Sequence, residues 1–153
     1  MASEIELVVG RQDPTSVERL LRALPDWFGI EEANRRYVAS AGSLPTVLAL
    51  HDGQVVGTLL WSRHYPESAE VHLMAVDPAY HRTGIGSQLL ARAEDELRAD
   101  GVRYLQVKTL GPSRPDEGYA RTRRFYQACG FVPLEEMLDV WPDDPMLILV
   151  KRL

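Results

Sequence analysis

A chain of 153 residues has room for one ordinary domain, taken here as residues 1–153, and by area scaling it hides about two thirds of its surface. Its 45% hydrophobic and 25% charged content excludes a fibrous or wholly disordered chain. A net charge of −5 and a pI near 5.4 argue against nucleic acid as a partner and lean towards a cationic substrate. Ile5, Leu7 and Val9 alternate with polar positions and predict a first strand, and Asp13-Pro14 supplies an N-cap and a first helical residue. Val17, Leu20, Leu21 and Leu24 then follow a helical stripe that stops at Pro25, and a second helix is predicted from Glu31 to Ala41. Thr46–Leu50 and Gln54–Trp61 read as a hairpin around Asp52-Gly53, with Glu70–Val76 extending the same sheet.

The period changes after that strand. Ile85, Leu89, Ala93 and Leu97 predict a helix over Gly84–Ala99 closed by Gly101. Arg103–Leu110 is the next strand, Tyr119–Cys129 a last helix, and Met146–Lys151 a final strand, giving the order β-α-α-β-β-β-α-β-α-β. The longest apolar run, Met146–Val150, falls well short of the roughly 18 residues that cross a bilayer. Met1–Gly10 carries glutamates where an export signal is basic, so a cytoplasmic protein without membrane contact is expected. Cys129 is alone, which excludes an internal disulfide and a cysteine-based zinc ribbon.

The segment from Val76 to Ser87 lies between a strand and a long helix and contains Gly84 and Gly86. Bare backbone and the unpaired N–H groups of a first helical turn suit a phosphate or pyrophosphate. The same pair of glycines also suits an ordinary tight turn. Neither the GxGxxG of a dinucleotide fold nor the GK[ST] of a P-loop is present, which disfavours nucleotide hydrolysis. Further on stands Arg124-Phe125-Tyr126-Gln127-Ala128-Cys129-Gly130-Phe131.

Val76-Asp77-Pro78, then Gly84 and Gly86, then Tyr126 ahead of Gly130-Phe131 together resemble the Gcn5-related N-acetyltransferase (GNAT) superfamily. The resemblance implies a mixed α/β (α+β) fold: a mostly antiparallel sheet of six or seven strands flanked by helices and splayed between its fourth and fifth strands. It implies acetyl transfer from acetyl-CoA to a primary amine by direct attack in a ternary complex, with no metal. Carried over by position, the amides of Arg82, Thr83, Gly84, Ile85, Gly86 and Ser87 would cradle the CoA pyrophosphate, with His81 counted beside them among the cofactor-binding residues. The strand edge at Met74, Ala75 and Val76 would pair with the pantetheine amides, and Tyr126 would protonate the departing thiolate.

For the base, strand alternation puts Glu70, His72, Met74 and Val76 on one side if no bulge intervenes. The resemblance makes Glu70 the first candidate and His72 the second; the alternatives are a solvated strand-end carboxylate and a cleft-wall histidine. Two departures from the family pattern stand out, His81 in place of Gln or Arg and Tyr119 in place of an asparagine ahead of the tyrosine. Trp27 and Phe28 fall where the family builds an acceptor wall, or are core. Asp116 and Glu117, in a long loop that either closes over the acceptor or crosses the surface rigidly, would attract an ammonium. Arg121, Arg123 and Arg124 either reach the CoA 3′-phosphate or form a solvated face, and Cys129 reads as a small apolar residue. A small-molecule amine is the expected acceptor; a protein lysine or N-terminus, and a non-catalytic acyl-CoA sensor, are the alternatives. A homodimer is compatible with the family.

Overall fold

The computed structural model describes residues 4–153, so the first residues of the Met1–Gly10 segment lie outside it. A short strand β1 (Glu6–Val9) leads to Asp13, whose carboxylate accepts from the Ser16 amide at 3.0 Å and opens α1 (Pro14–Arg22). Helix α2 (Glu31–Ser40), with glutamates in its first turn, precedes the hairpin of β2 (Thr46–His51) and β3 (Gln54–Tyr65). Strand β4 (Ser68–Val76) ends in a short 3-10 turn over Pro78–Tyr80 that hands the chain to α3 (Ile85–Ala99). Then come β5 (Tyr104–Leu110), α4 (Glu117–Ala128), β6 (Val132–Met137) and β7 (Met146–Arg152).

The seven strands lie in the order β1-β2-β3-β4-β5-β7-β6, and every pair is antiparallel except β4 with β5. This is the expected mixed α/β sheet. Strand β6 is an addition to the order expected from the pattern. Its Val132 and Leu134 are 60% and 65% exposed, so no buried stripe announces it, and Pro133 is tolerated because the strand lies at the sheet edge.

Two cores cover the two faces. On one, Ile85, Leu89, Leu90, Ala93 and Leu97 of α3 pack with Tyr126 of α4 against Val47, Leu59, Val71 and Val107 of the sheet. On the other, Val17, Leu20 and Leu21 of α1 pack against Leu48, Leu60, Leu73 and Ala75, joined by Tyr37 of α2. Each fully buried aliphatic side chain contributes about 1.5–3 kcal/mol, which is what holds α3 and its N-terminus in place. A half-buried ion pair adds direction: Lys151 Nζ of β7 lies 2.9 Å from both carboxylate oxygens of Glu94.

The parallel ladder between β4 and β5 runs only from Ser68 opposite Tyr104 to Val71 opposite Val107. Beyond it β4 stays paired with β3 as far as Val76, while β5 stays paired with β7 as far as Leu110. The two strands therefore separate, and a wedge opens between His72–Val76 and the end of β5. Among the described residues no helix is long and apolar enough to cross a membrane.

Candidate active site

The register of β3 and β4 corrects one expectation. Trp61 pairs with Val71 and Leu60 with Leu73, so His72 is an extra residue, a bulge at the point where the wedge opens. Because the bulge shifts the alternation, Val71, Met74 and Val76 belong to the core under α3 and α4, whereas Leu73 and Ala75 belong to the core under α1 and α2. Glu70 and His72 therefore do not share a face with Met74 and Val76. The His72 ring instead meets Tyr37 of α2 edge-on, with centroids 5.5 Å apart, placing it on the α1/α2 side.

Glu70 is half-buried and its Oε1 takes three partners: His64 Nε2 at 2.8 Å, Gln106 Nε2 at 2.9 Å and Lys108 Nζ at 3.5 Å. Burial alone would raise its pKa, but these donors together hold the carboxyl below its ordinary value. Its Oε2 has no protein hydrogen-bond partner among the described residues. His72 is also lowered, by burial, opposed by the charge on Glu70, so the ring is neutral at neutral pH.

At the foot of the wedge, Gly84 caps α3 with φ +85°, a backbone state that suits glycine. Arg82 is also left-handed at φ +64°, and Thr83 Oγ1 donates to the Tyr80 carbonyl. Gly86 is needed for a different reason, since a Cβ there would lie 3.3 Å from the Phe125 ring. The turn thus presents the amides of Gly84, Ile85, Gly86 and Ser87 without side-chain cover from the glycines, a geometry that fits a pyrophosphate. His81 behaves otherwise than a cradle side chain: its Nε2–H donates to the Val76 carbonyl at 2.8 Å.

Tyr126 lies on the α3/α4 side, 4% exposed, between Phe125 and Phe131 with ring centroids at 5.2 and 5.3 Å. Burial, reinforced by Cys129 and Tyr37, pushes its phenol well above the ordinary value, so it remains a proton donor at any working pH. Tyr37, which sequence reasoning passed over, is likewise raised by burial and feels the charge of Glu70. The signal that could have found it is an aromatic residue in a polar helix, on the side turned to the sheet.

Trp27 bridges the open side. Its indole lies 3.1 Å from where a Gly118 Cβ would be, its carbonyl accepts from the Tyr119 hydroxyl at 3.0 Å, and its ring stands edge-on to His81 with centroids 6.0 Å apart. Phe28 packs on Tyr37 at 5.8 Å, with its carbonyl held by Asn34 Nδ2 at 2.8 Å. Asp116 is engaged as the cap of α4, accepting from the Tyr119 amide at 3.0 Å, and Glu117 is exposed in the first turn. The long loop before α4 is joined to the segment around β6 by a hydrogen bond from Ser113 to Glu136 at 2.6 Å and by an ion pair of Arg114 with Asp144. Arg123 donates to the Leu110 carbonyl at 2.7 Å, while Arg121 and Arg124 are exposed. Cys129 is half-buried, with its sulfur 4.0 Å from Ser87 Oγ at the start of α3.

A sequence model of the Acetyltransferase (GNAT) domain matches residues 43–133, the stretch that carries the wedge, the cradle and Tyr126. The chain belongs to the GNAT acetyltransferase family. Curated relatives of this chain include the mycothiol acetyltransferase of Beutenbergia cavernae, 33% identical over 85 residues, and the N-alpha-acetyltransferase RimI of Mycobacterium tuberculosis, 39% identical over 72 residues. The matches cover 54% and 42% of this chain but 26% and 45% of those relatives, so the chain spans less than half of either. Among solved structures, an acetyl-CoA-bound GNAT family acetyltransferase from Elizabethkingia anophelis superposes with a TM-score of 0.73 at 21% identity, covering 97% of this chain and 98% of that one. At that identity the likeness speaks for the fold.

Proposed function

We propose that this GNAT domain transfers acetyl from acetyl-CoA to the primary amine of a small molecule by direct attack. The observation that carries the reading is the wedge between β4 and β5, with the Gly84–Gly86 turn at its foot, Tyr126 on one side and His72 with Glu70 on the other. Acetyl-CoA supplies the thioester. The amides from Arg82 to Ser87 hold its pyrophosphate, and the free edge of β4 at Met74–Val76 takes its pantetheine amides.

The amine nitrogen loses one proton as the amide forms, and the departing thiolate gains one. Tyr126 gives its phenolic proton to the sulfur, and its raised pKa keeps it loaded for that step. His72 receives the amine proton ahead of Glu70, because Glu70 Oε1 is already engaged by His64, Gln106 and Lys108 whereas the ring nitrogens of His72 make no hydrogen bond among the described residues. Glu70 supports a positive charge on His72 and on the arriving amine. Most of the acceleration comes from holding both substrates in register across the wedge.

A small acceptor fits the bridge that Trp27 makes between His81 and α4, which narrows the α1/α2 side. A peptide N-terminus is the second reading, supported by the relative named as an N-alpha-acetyltransferase. Calorimetric titration with acetyl-CoA, followed by thiol release in the presence of polyamines, amino acids, aminoglycosides and short peptides, tests both. Micromolar binding, about −8 kcal/mol, with thiol release driven by a small amine is the expected result. Release driven by peptides alone would favour the second reading. Binding with no release by any amine would make the domain a sensor, and no binding would remove the acetyl-CoA reading altogether.

A further inference from the structure

We infer that His81 and Trp27 form a positioning pair that transmits occupancy of the pantetheine edge to the acceptor wall. The inference rests on the acetyl-CoA reading above. It begins with one peptide group. The Asp77 amide donates to the Val56 carbonyl of β3 at 2.8 Å, and in a trans peptide the carbonyl of the preceding residue points the opposite way. The Val76 carbonyl therefore faces away from β3, into the wedge, where β5 has already parted from β4. It is the last strand carbonyl on that edge, and the imidazole of His81 donates to it at 2.8 Å.

The same ring stands at 83° to the indole of Trp27, 6.0 Å between centroids. Trp27 in turn rests on Gly118, where any Cβ would come within 3.1 Å of the indole, and holds the Tyr119 hydroxyl through its own carbonyl at 3.0 Å. A continuous chain thus runs from the β4 edge through His81 and Trp27 to the first turn of α4, across the mouth of the wedge. A pantetheine amide that donates to the Val76 carbonyl displaces the imidazole. His81 then leaves the edge of Trp27, and the wall that faces the amine is reset only when acetyl-CoA is in place.

The test uses the full chain and CoA or acetyl-CoA as the probe, with calorimetry and tryptophan emission read on the same samples. Wild type is expected to show an emission change that saturates with the calorimetric isotherm, and Trp27→Phe is expected to lose it although Trp61 and Trp141 remain. His81→Ala, which removes the competing donor, is expected to bind acetyl-CoA roughly three- to tenfold tighter, the reach of one net hydrogen bond, and to show at most a small emission change. Thermal melts confirm that each variant is folded. Binding heat with unchanged Trp27 emission in wild type overturns the coupling, as does weaker binding by a folded His81→Ala, the result expected if the imidazole merely braced the turn. Absence of binding heat in wild type overturns the acetyl-CoA reading and this inference with it.

Discussion

Gly84 and Gly86 sit two residues apart, yet the structure requires glycine at each for a different reason, and substitutions separate the two. At Gly84 nothing lies within 4 Å of a would-be Cβ, so the only cost of alanine is the left-handed backbone at φ +85°. That strain is about 1–2 kcal/mol, offset by about 0.4–1 kcal/mol from the less flexible unfolded chain, leaving a net loss near 1 kcal/mol. Asparagine, which tolerates the left-handed region, should lose less. At Gly86 the backbone is helical and alanine gains about 1 kcal/mol of propensity. Its Cβ would press on Phe125 Cζ at 3.3 Å and Cε2 at 3.4 Å, and such overpacking costs about 1–3 kcal/mol.

Denaturant unfolding of Gly84→Ala, Gly84→Asn, Gly86→Ala, Phe125→Leu and the double variant Gly86→Ala/Phe125→Leu reads these terms directly. Trimming Phe125 should convert the Gly86→Ala loss into a gain, a coupling of about 1–2 kcal/mol. Additivity within about 0.5 kcal/mol would refute the packing argument, and equal losses for alanine and asparagine at Gly84 would refute the backbone one. Calorimetry with acetyl-CoA on the same set should show Gly84→Asn close to wild type and Gly86→Ala weaker, because the displaced Phe125 ring adjoins both the first turn of α3 and Tyr126.

Tyr126→Phe keeps the ring packing with Phe125 and Phe131, so its melting temperature should barely move while kcat falls by about 100-fold or more. For pH, the sign follows from the lowered His72 pKa: the neutral ring is the base, so kcat/KM should fall as pH drops below about 6.5, and His72→Asn should abolish that limb while Glu70→Gln shifts it downwards. Folding stability has two matching signs. The lowered Glu70 pKa contributes stability present above its unfolded value and lost as pH falls through the folded one, and the lowered His72 pKa makes the fold weaker once the unfolded ring can take up a proton. Lys151→Met should cost about 1–3 kcal/mol by removing the nearer partner of Glu94, at 5% exposure, which keeps only Arg98 at 3.7 Å, whereas the paired change Glu94→Leu/Lys151→Met should recover part of that loss in the same unfolding assay.

Helical periodicity and turn chemistry were readable because they are local. Asp13-Pro14, Asp52-Gly53 and the spacing of Ile85, Leu89, Ala93 and Leu97 each act within a turn or two, and all stand where the pattern places them. Strand β6 was not readable because its Val132 and Leu134 face solvent at a sheet edge, where no buried stripe is written into the sequence. The extent of the wedge was also hidden. It is set by how far β5 follows β4 before β7 alone holds it, a matter of register between strands distant in sequence.

The bulge at His72 is the most consequential of these long-range features. Alternation over Glu70–Val76 assumes one residue per partner, and the extra residue reverses which core each later side chain serves. With a regular strand, the candidate base, Met74 and Val76 would all crowd the α3/α4 side together with Tyr126. With the bulge, the imidazole turns to Tyr37 of α2 and the carboxylate meets His64, Gln106 and Lys108, while Met74, Val76 and the phenol stay with α3 and α4. Addition of the amine to the thioester carbonyl releases a proton at nitrogen and expulsion of the thiolate takes one up at sulfur, so the proposed transfer needs an acceptor near the nitrogen and a donor near the sulfur, two separate positions. It follows that substitutions on the α1/α2 side, at Tyr37 or Trp27, should act first on the KM of the amine, and those around Gly86, Phe125 and Val76 first on the affinity for acetyl-CoA.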